Sequence, residues 1–196
     1  MRNSMKKWNK SKYSLVMLLL AVMLATSGCT SIVKEGTELL EEGNYTEAAE
    51  KFQESVDKGK DLGEAWRGLG ICYWEEEDYE KAEKAFGNAL QNGSEETATI
   101  YNMLGICALM TDKPEKAVYY FENGQEFPDA GQELLKEMSF NLIAAYEQVG
   151  DYQKAKEKLE VYLSLYPDDE RALKEKEFLN TQVPSREEKN VWQSMR

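Results

Sequence analysis

The sequence predicts an all-α protein built from four stacked helix pairs and one further helix. The first observation is a period of about 34 residues that four residue types keep in one register: Gly36 and Gly70, Tyr45 and Tyr79, Ala48 and Ala82, Phe52 and Phe86. The second observation is that the same residue types return further along the chain: Gly105, Ala117, Phe121, Tyr146, Gly150, Tyr152 and Ala155. Such a period is typical of supersecondary units that bury their apolar faces only against their neighbours.

The third observation is the helical spacing inside the second repeat. One helix face carries four residues at i, i+3, i+4 and i+7: Trp66, Leu69, Gly70 and Tyr73. A second face follows in the next helix: Ala82, Phe86 and Ala89. A small residue on one helix lets the two backbones approach, and the aromatic ring of the other helix fills the space around it. Each repeat is therefore predicted to be an antiparallel helix pair.

This pattern resembles the tetratricopeptide repeat over residues 29 to about 169. The resemblance implies a right-handed α-α superhelix, a solenoid of four helix pairs. We expect the repeats at 29–62, 63–97, 98–135 and 136–169. The third repeat has four extra residues, so we expect a longer loop or one more helical turn near Phe127. A capping helix is predicted at 170–180, followed by a C-terminal tail at 181–196.

The turns within the repeats support these boundaries. Four short polar or glycine-containing pairs stand where the first helix of each repeat should end: Gly43-Asn44, Glu77-Asp78, Thr111-Asp112 and Gly150-Asp151. Pro114 then opens the next helix, where its missing N–H breaks no hydrogen bond. In the tail, Ser185 and Glu188 resemble a capping box ahead of an apolar face with Trp192. A docked helix and a disordered terminus both remain possible for that segment.

The segment 1–28 is predicted to be an export signal. Five basic residues and no acidic ones precede an unbroken apolar run from Leu15 to Ala25. That run is shorter than the roughly 20 residues that a spanning helix needs. The ending Ala25-Thr26-Ser27-Gly28-Cys29 resembles the lipobox of bacterial lipoproteins, although Thr26 stands where leucine is usual. This resemblance implies a diacylglycerol on Cys29; an ordinary signal peptide and an uncleaved anchor are the alternatives.

Charge limits the classes of partner. Removing residues 1–28 takes away five positive charges, so the net charge falls from −12 to −17. A body this acidic repels nucleic acid and anionic lipid headgroups. We therefore expect no nucleic acid partner, and a membrane attachment that depends on the lipid at Cys29. The predicted location is the extracytoplasmic face of a bacterial membrane.

Enzyme chemistry has little support in the sequence. The chain has no histidine, which excludes a histidine metal site and the common histidine-assisted nucleophiles. Gly68 and Gly70 lie within a predicted helix, so they are not a phosphate-binding loop. Cys72 and Cys107 occupy equivalent places in successive repeats and are predicted to be buried free thiols, because equivalent helices lie too far apart for a disulfide. We expect no catalytic residue, no metal and no cofactor.

The resemblance implies that the first helix of each repeat lines a concave groove. Carried onto this chain, the expected partner-binding residues are Arg67, Ile71, Trp74, Asn102, Met103, Ile106, Met110, Phe140 and Asn141. Exposed apolar area of this kind tends to mark a binding site, and polar groups beside it could pair with a ligand's backbone or carboxylate. The alternative is that part of this set packs against neighbouring helices, and for Ile71 and Ile106 the two interpretations are balanced.

Two functional hypotheses follow from these observations. The first is a noncatalytic, lipid-tethered scaffold for protein–protein interaction at the bacterial cell envelope, binding a protein or peptide in its groove. The second is a capture protein for small exported peptides or molecules that feeds a transporter or an enzyme. The sequence leaves the oligomeric state open, with a monomer favoured.

Overall fold

The computed structural model describes residues 31–183 of the 196-residue chain, and that part is all-α. It contains nine helices and no strand, which confirms the predicted fold class. Their bounds are α1 Ile32–Glu41, α2 Tyr45–Asp57, α3 Leu62–Glu75, α4 Tyr79–Gln91, α5 Ala98–Met110, α6 Pro114–Gly124, α7 Gln132–Val149, α8 Tyr152–Leu165 and α9 Glu170–Gln182. The predicted export signal, Cys29 and most of the C-terminal tail lie outside the described residues.

The helices fall into two compact units. Unit 1 ends at Ser94 and holds α1 to α4, and unit 2 begins at Glu95 and holds α5 to α9. Within each unit the helices pack in chain order, so that each contacts the one before and the one after it. The first helices of successive repeats also touch inside each unit, α1 against α3 and α5 against α7.

Glycine beneath an aromatic ring fixes the packing of three repeats. A Cβ built on Gly70 would lie 2.6 Å from Cδ1 of Phe86, and one on Gly105 would lie 2.5 Å from Cε1 of Phe121. Real carbon atoms do not approach so closely, so only glycine lets these rings lie against the partner helix. The same ring position in unit 1 is filled by Phe52, which lies over Gly36 and Gly68. The glycine and phenylalanine positions predicted to pack together do so.

The turns lie where the sequence predicts them, and two of them need a left-handed backbone that glycine supplies. Gly43 and Gly150 have φ values of +79° and +86°. The equivalent turns of the second and third repeats place Glu77 and Asp112 at φ values of 62° and 60°, where a side chain is disfavoured. The side chains of Asp78 and Asp151 accept hydrogen bonds from the backbone of Lys81 and Lys154 and so cap α4 and α8.

The extra residues between the third and fourth repeats lengthen both the loop and the helix. The segment 125–131 separates α6 from α7, and α7 is 18 residues long where α3 has 14. The Asp129 carboxylate accepts a hydrogen bond from the backbone N–H of Ala98, which ties this loop to the start of α5. The predicted cap corresponds to α9, whose first turn is capped by Asp169.

Two glycine-to-alanine changes are expected to move stability in opposite directions. Gly150→Ala should lower the free energy of unfolding by about 1 kcal/mol, because a Cβ strains a backbone at positive φ even where no neighbour is touched. Gly87→Ala should raise it by about 0.5–1 kcal/mol, because this open helical position gains propensity without a clash. Urea unfolding followed by circular dichroism measures both. A loss of stability in both variants would contradict the backbone explanation.

Candidate binding surface

In unit 1, three predicted site residues lie on α3 and differ in how much surface they offer. Arg67 is half-buried and forms an ion pair with Glu64, one turn earlier on the same helix. Ile71 is buried. Trp74 is half-buried, and its ring meets the ring of Tyr79 edge-on at a centroid distance of 5.3 Å. Arg67 and Trp74 therefore keep part of their side chains available to a ligand.

In unit 2, α5 is more deeply buried than a groove floor facing solvent would be. Ten of its thirteen residues are buried, Asn102, Met103 and Ile106 among them. Only 2% of Ile106 is exposed, whereas Met110 at the end of the helix is 41% exposed. The cause is that α5 packs against both α6 and α7 within the unit. The structure thus places Met110 at the surface and Ile106 in the core.

Phe140 on α7 lies under a covering side chain that the repeat pattern does not indicate. The guanidinium carbon of Arg171, from α9, stands 3.5 Å from the centroid of the Phe140 ring. On another side the ring meets Tyr162 of α8 at 5.6 Å. Arginine above an aromatic face is attracted to it, and here it also removes most of the ring from solvent. A ligand would have to displace Arg171 or stack on it to approach Phe140.

Two buried amides in unit 2 have polar atoms without a partner. Asn102 is 5% exposed; its Nδ2 donates to Oε1 of Glu137 at 2.9 Å, while its Oδ1 accepts no hydrogen bond among the described residues. Asn141 is 3% exposed, and its Nδ2 finds no acceptor there. A buried polar group left unpaired costs about 1–3 kcal/mol. We call Asn102 and Asn141 the amide pair.

Near the end of α7, burial perturbs a carboxyl group. Burial, together with repulsion from the neighbouring Glu175 carboxylate on α9 and a hydrogen bond shared with it, raises the pKa of Glu147 to about 8. Two carboxyl groups held together in this way keep a proton that either would lose alone. The contact joins the cap helix to the last repeat, and the sequence carries no periodic signal for it.

The free energy of unfolding is therefore expected to fall as the pH rises towards 8, the approximate pKa of Glu147 in the folded chain. The pKa of Glu147 is higher in the folded chain than in the unfolded one, so its contribution is complete below about pH 4.5 and is lost as the pH approaches 8. Glu147→Gln should flatten this part of the profile and add about 1–2 kcal/mol at pH 8, because solvent screens part of the effect. Urea unfolding between pH 5 and pH 9 tests it. The matched variant Glu157→Gln, on exposed α8 surface, should leave the profile unchanged.

The two cysteines among the described residues lie in the interior of the fold. Cys72 and Cys107 are buried and form no disulfide within residues 31–183, as predicted, and burial raises the pKa of Cys72 to about 12. A thiol protonated at neutral pH is a poor nucleophile and a poor metal ligand. Between residues 31 and 183, no cluster of cysteine and carboxylate side chains is arranged to hold a metal ion, and no helix is long and apolar enough to cross a bilayer.

Comparison with known proteins gives two matches to models described as tetratricopeptide repeat, over residues 61–127 and 137–169, about half of the chain together. Among curated proteins, BBSome complex member BBS4 from Bos taurus is 29% identical over 131 residues. That match covers 67% of this chain but 24% of BBS4, so the chain spans about a quarter of that relative's length.

Solved structures with a similar fold include YrrB, described as a TPR protein with an unusual peptide-binding site. It has a TM-score of 0.70 and 18% identity, over 80% of this chain and 78% of YrrB. A crystal structure of MamA has a TM-score of 0.69 and 19% identity, over 81% of this chain and 85% of MamA. At such identities the likeness concerns the all-α superhelical fold alone.

Proposed function

Because this chain belongs to the tetratricopeptide-repeat proteins, which are generally noncatalytic interaction scaffolds, we propose that it binds a protein or peptide segment through the first helices of its repeats. The observation that carries the proposal is the amide pair. Among residues 31–183, no group donates to Oδ1 of Asn102 and none accepts from Nδ2 of Asn141. A fold that keeps both groups unpaired loses stability, and a ligand that pairs them restores it.

A peptide backbone has the chemistry that the amide pair needs. Each peptide unit offers one N–H donor and one C=O acceptor, so an extended segment that displaces the side chains covering the amide pair can donate to Asn102 and accept from Asn141. Side chains of the segment would then meet the apolar groups that keep exposed surface. In unit 2, which holds the amide pair, these are Met110 and the Arg171-covered face of Phe140. Adaptable methionine and flat aromatic surface suit such contacts.

If the amide pair binds the peptide, replacing one of its amides should raise the free energy of unfolding and lower the affinity for the peptide. Asn141→Leu keeps the number and branching of the side-chain heavy atoms while removing the unpaired Nδ2, so it should raise the free energy of unfolding by about 1 kcal/mol and weaken peptide binding by about tenfold. The binding measurement uses a peptide selected from a displayed random library against the full chain. Fluorescence anisotropy then gives its dissociation constants for the wild type and the variant.

Asn123→Leu is the matched control. Its amide lies on α6 and donates to the backbone oxygen of Tyr119, away from the first helices of the repeats. We expect this change to leave peptide affinity within twofold of the wild type. Equal weakening by both substitutions, or undiminished binding to Asn141→Leu, would show that the peptide binds elsewhere.

For the site of action, we propose a lipid-tethered protein on the extracytoplasmic side of a bacterial membrane. The support is the order of basic residues, apolar run and Cys29 in the sequence. In a bacterial host fed an alkyne fatty acid, the chain should take up label, and Cys29→Ala should not. Label retained in Cys29→Ala would refute acylation at that cysteine, and a fatty-acid-free wild type would refute the tether itself.

A further inference from the structure

Unit 1 has a surface groove between α2 and the end of α3. Side chains of α2 and of the end of α3 border an open depression with a volume of about 680 Å³. Its floor is apolar, with Ala49 and the half-buried Tyr73 in contact with the hydrophobic core of the unit. We call this depression the α2 groove; it is lined by Thr46, Ala49, Glu50, Gln53, Glu54, Asp57, Lys58, Tyr73 and Glu76.

The rim of the α2 groove is acidic. Glu50, Glu54 and Asp57 stand at i, i+4 and i+7 on one face of α2, and Glu76 joins them from the turn after α3. The lining therefore has four carboxylates and one ammonium group, Lys58, whose Nζ lies 2.6 Å from Oε1 of Glu54. These rim groups together carry a net charge of about −3, which a basic segment would complement.

The repeat architecture does not require these carboxylates. One period later, the positions of Glu50, Glu54 and Asp57 are occupied on α4 by Lys84, Asn88 and Gln91. The α4 helix is as long as α2 and packs in the same way against the helix before it. Of the two repeats in unit 1, only the first therefore has this acidic face. The carboxylate of Glu50 makes no hydrogen bond or ion pair within residues 31–183.

We propose that the α2 groove docks a basic amphipathic helix from a partner protein, as a second interaction surface besides the peptide site of the first helices. Lysine or arginine side chains spaced one per helical turn would follow the carboxylates of α2, and an apolar side chain between them would contact Ala49 and Tyr73. Charge complementarity selects this occupant. The groove rejects acidic segments and nucleic acid by repulsion.

The test uses the full chain and a fluorescein-labelled amphipathic peptide of lysine and leucine, four helical turns long, as the probe. Anisotropy titration at low and physiological salt gives its affinity. The variant Glu50→Lys with Asp57→Lys should weaken binding by about tenfold or more, and salt should weaken wild-type binding. A glutamate and leucine peptide should not bind. The control variant Glu157→Lys with Glu160→Lys makes the same charge change on exposed α8, and its affinity should stay within twofold.

Three outcomes would overturn the proposal. If the groove variant and the control variant weakened probe binding equally, the probe would be attracted to the acidic protein surface in general and not to the α2 groove. Undiminished binding to the groove variant would place the probe elsewhere. If deleting the basic residues 1–12 tightened probe binding to the wild type but not to the groove variant, the occupant would be this chain's own N-terminal segment. Asn141→Leu should leave probe affinity unchanged, which separates this test from that of the peptide site.

Discussion

Replacing Phe121 by alanine is expected to lower the free energy of unfolding by about 3–5 kcal/mol, the largest effect of any substitution considered for this chain. The Phe121 side chain is fully buried and lies against the backbone of Gly105 on the facing helix. Removing the ring leaves a cavity that neither helix can close, because Gly105 has no side chain to move into it. Urea unfolding monitored by circular dichroism measures the loss.

Tyr119→Ala is the control for this experiment. Tyr119 is on the same helix, two positions earlier, and is 57% exposed. Its replacement should change the free energy of unfolding by no more than about 0.5 kcal/mol. If Phe121→Ala lowered the free energy of unfolding as little as Tyr119→Ala, packing of the Phe121 ring would not be what stabilises the contact between α5 and α6.

The repeat architecture could be predicted from sequence because its packing unit is local and recurs. A glycine on the first helix and a phenylalanine on the second form one contact in each of the first three repeats, always at the same spacing along the chain. The turn between them must reverse the chain over a short stretch, and its residue types reveal it. In the fourth repeat Ile143 and Leu159 stand at these positions, so the pattern tolerates a change of volume on both sides at once.

The depth of the expected groove floor was harder to predict. Family position assigns Met103 and Ile106 to the concave face, but it does not say how closely the neighbouring first helix covers that face. A signal was present in the sequence: Ala98–Met110 contains no charged residue. A helix without a polar side is usually buried all round. That criterion separates Met110, at the exposed end, from Ile106 in the middle.

The polar part of the site depends on contacts between helices, and the sequence period of about 34 residues does not predict these contacts. Repeat position predicts that Asn102 and Asn141 line the groove, but only the fold of residues 31–183 shows that Oδ1 of Asn102 and Nδ2 of Asn141 have no hydrogen-bond partner there. Arg171 of α9 covers the ring of Phe140 on α7. Glu175, also on α9, interacts with Glu147 on α7. Arg171, Glu175 and Glu147 have long, flexible side chains, whose directions are set by packing rather than by local sequence.

Gly105→Ala tests the same contact from the other side and should lower the free energy of unfolding by about 1–3 kcal/mol. The added Cβ would lie 2.5 Å from Cε1 and 2.7 Å from Cζ of Phe121, so the ring or the helix must shift. Alanine in a helix interior stabilises the fold by about 1 kcal/mol relative to glycine, so the clash at Gly105 must cost more than that for the variant to be destabilised. At Gly87 no clash opposes this gain. The sign of the effect therefore distinguishes close packing from propensity.

The double variant Gly105→Ala with Phe121→Leu completes this test. A smaller, more flexible side chain makes room for the new methyl group, so the two changes together should destabilise the fold by less than the sum of their separate effects. A coupling of about 1 kcal/mol or more in urea unfolding would place both groups in one contact. Strict additivity would mean that the methyl group is accommodated without touching the ring, and the close approach of α5 to α6 would then have another cause.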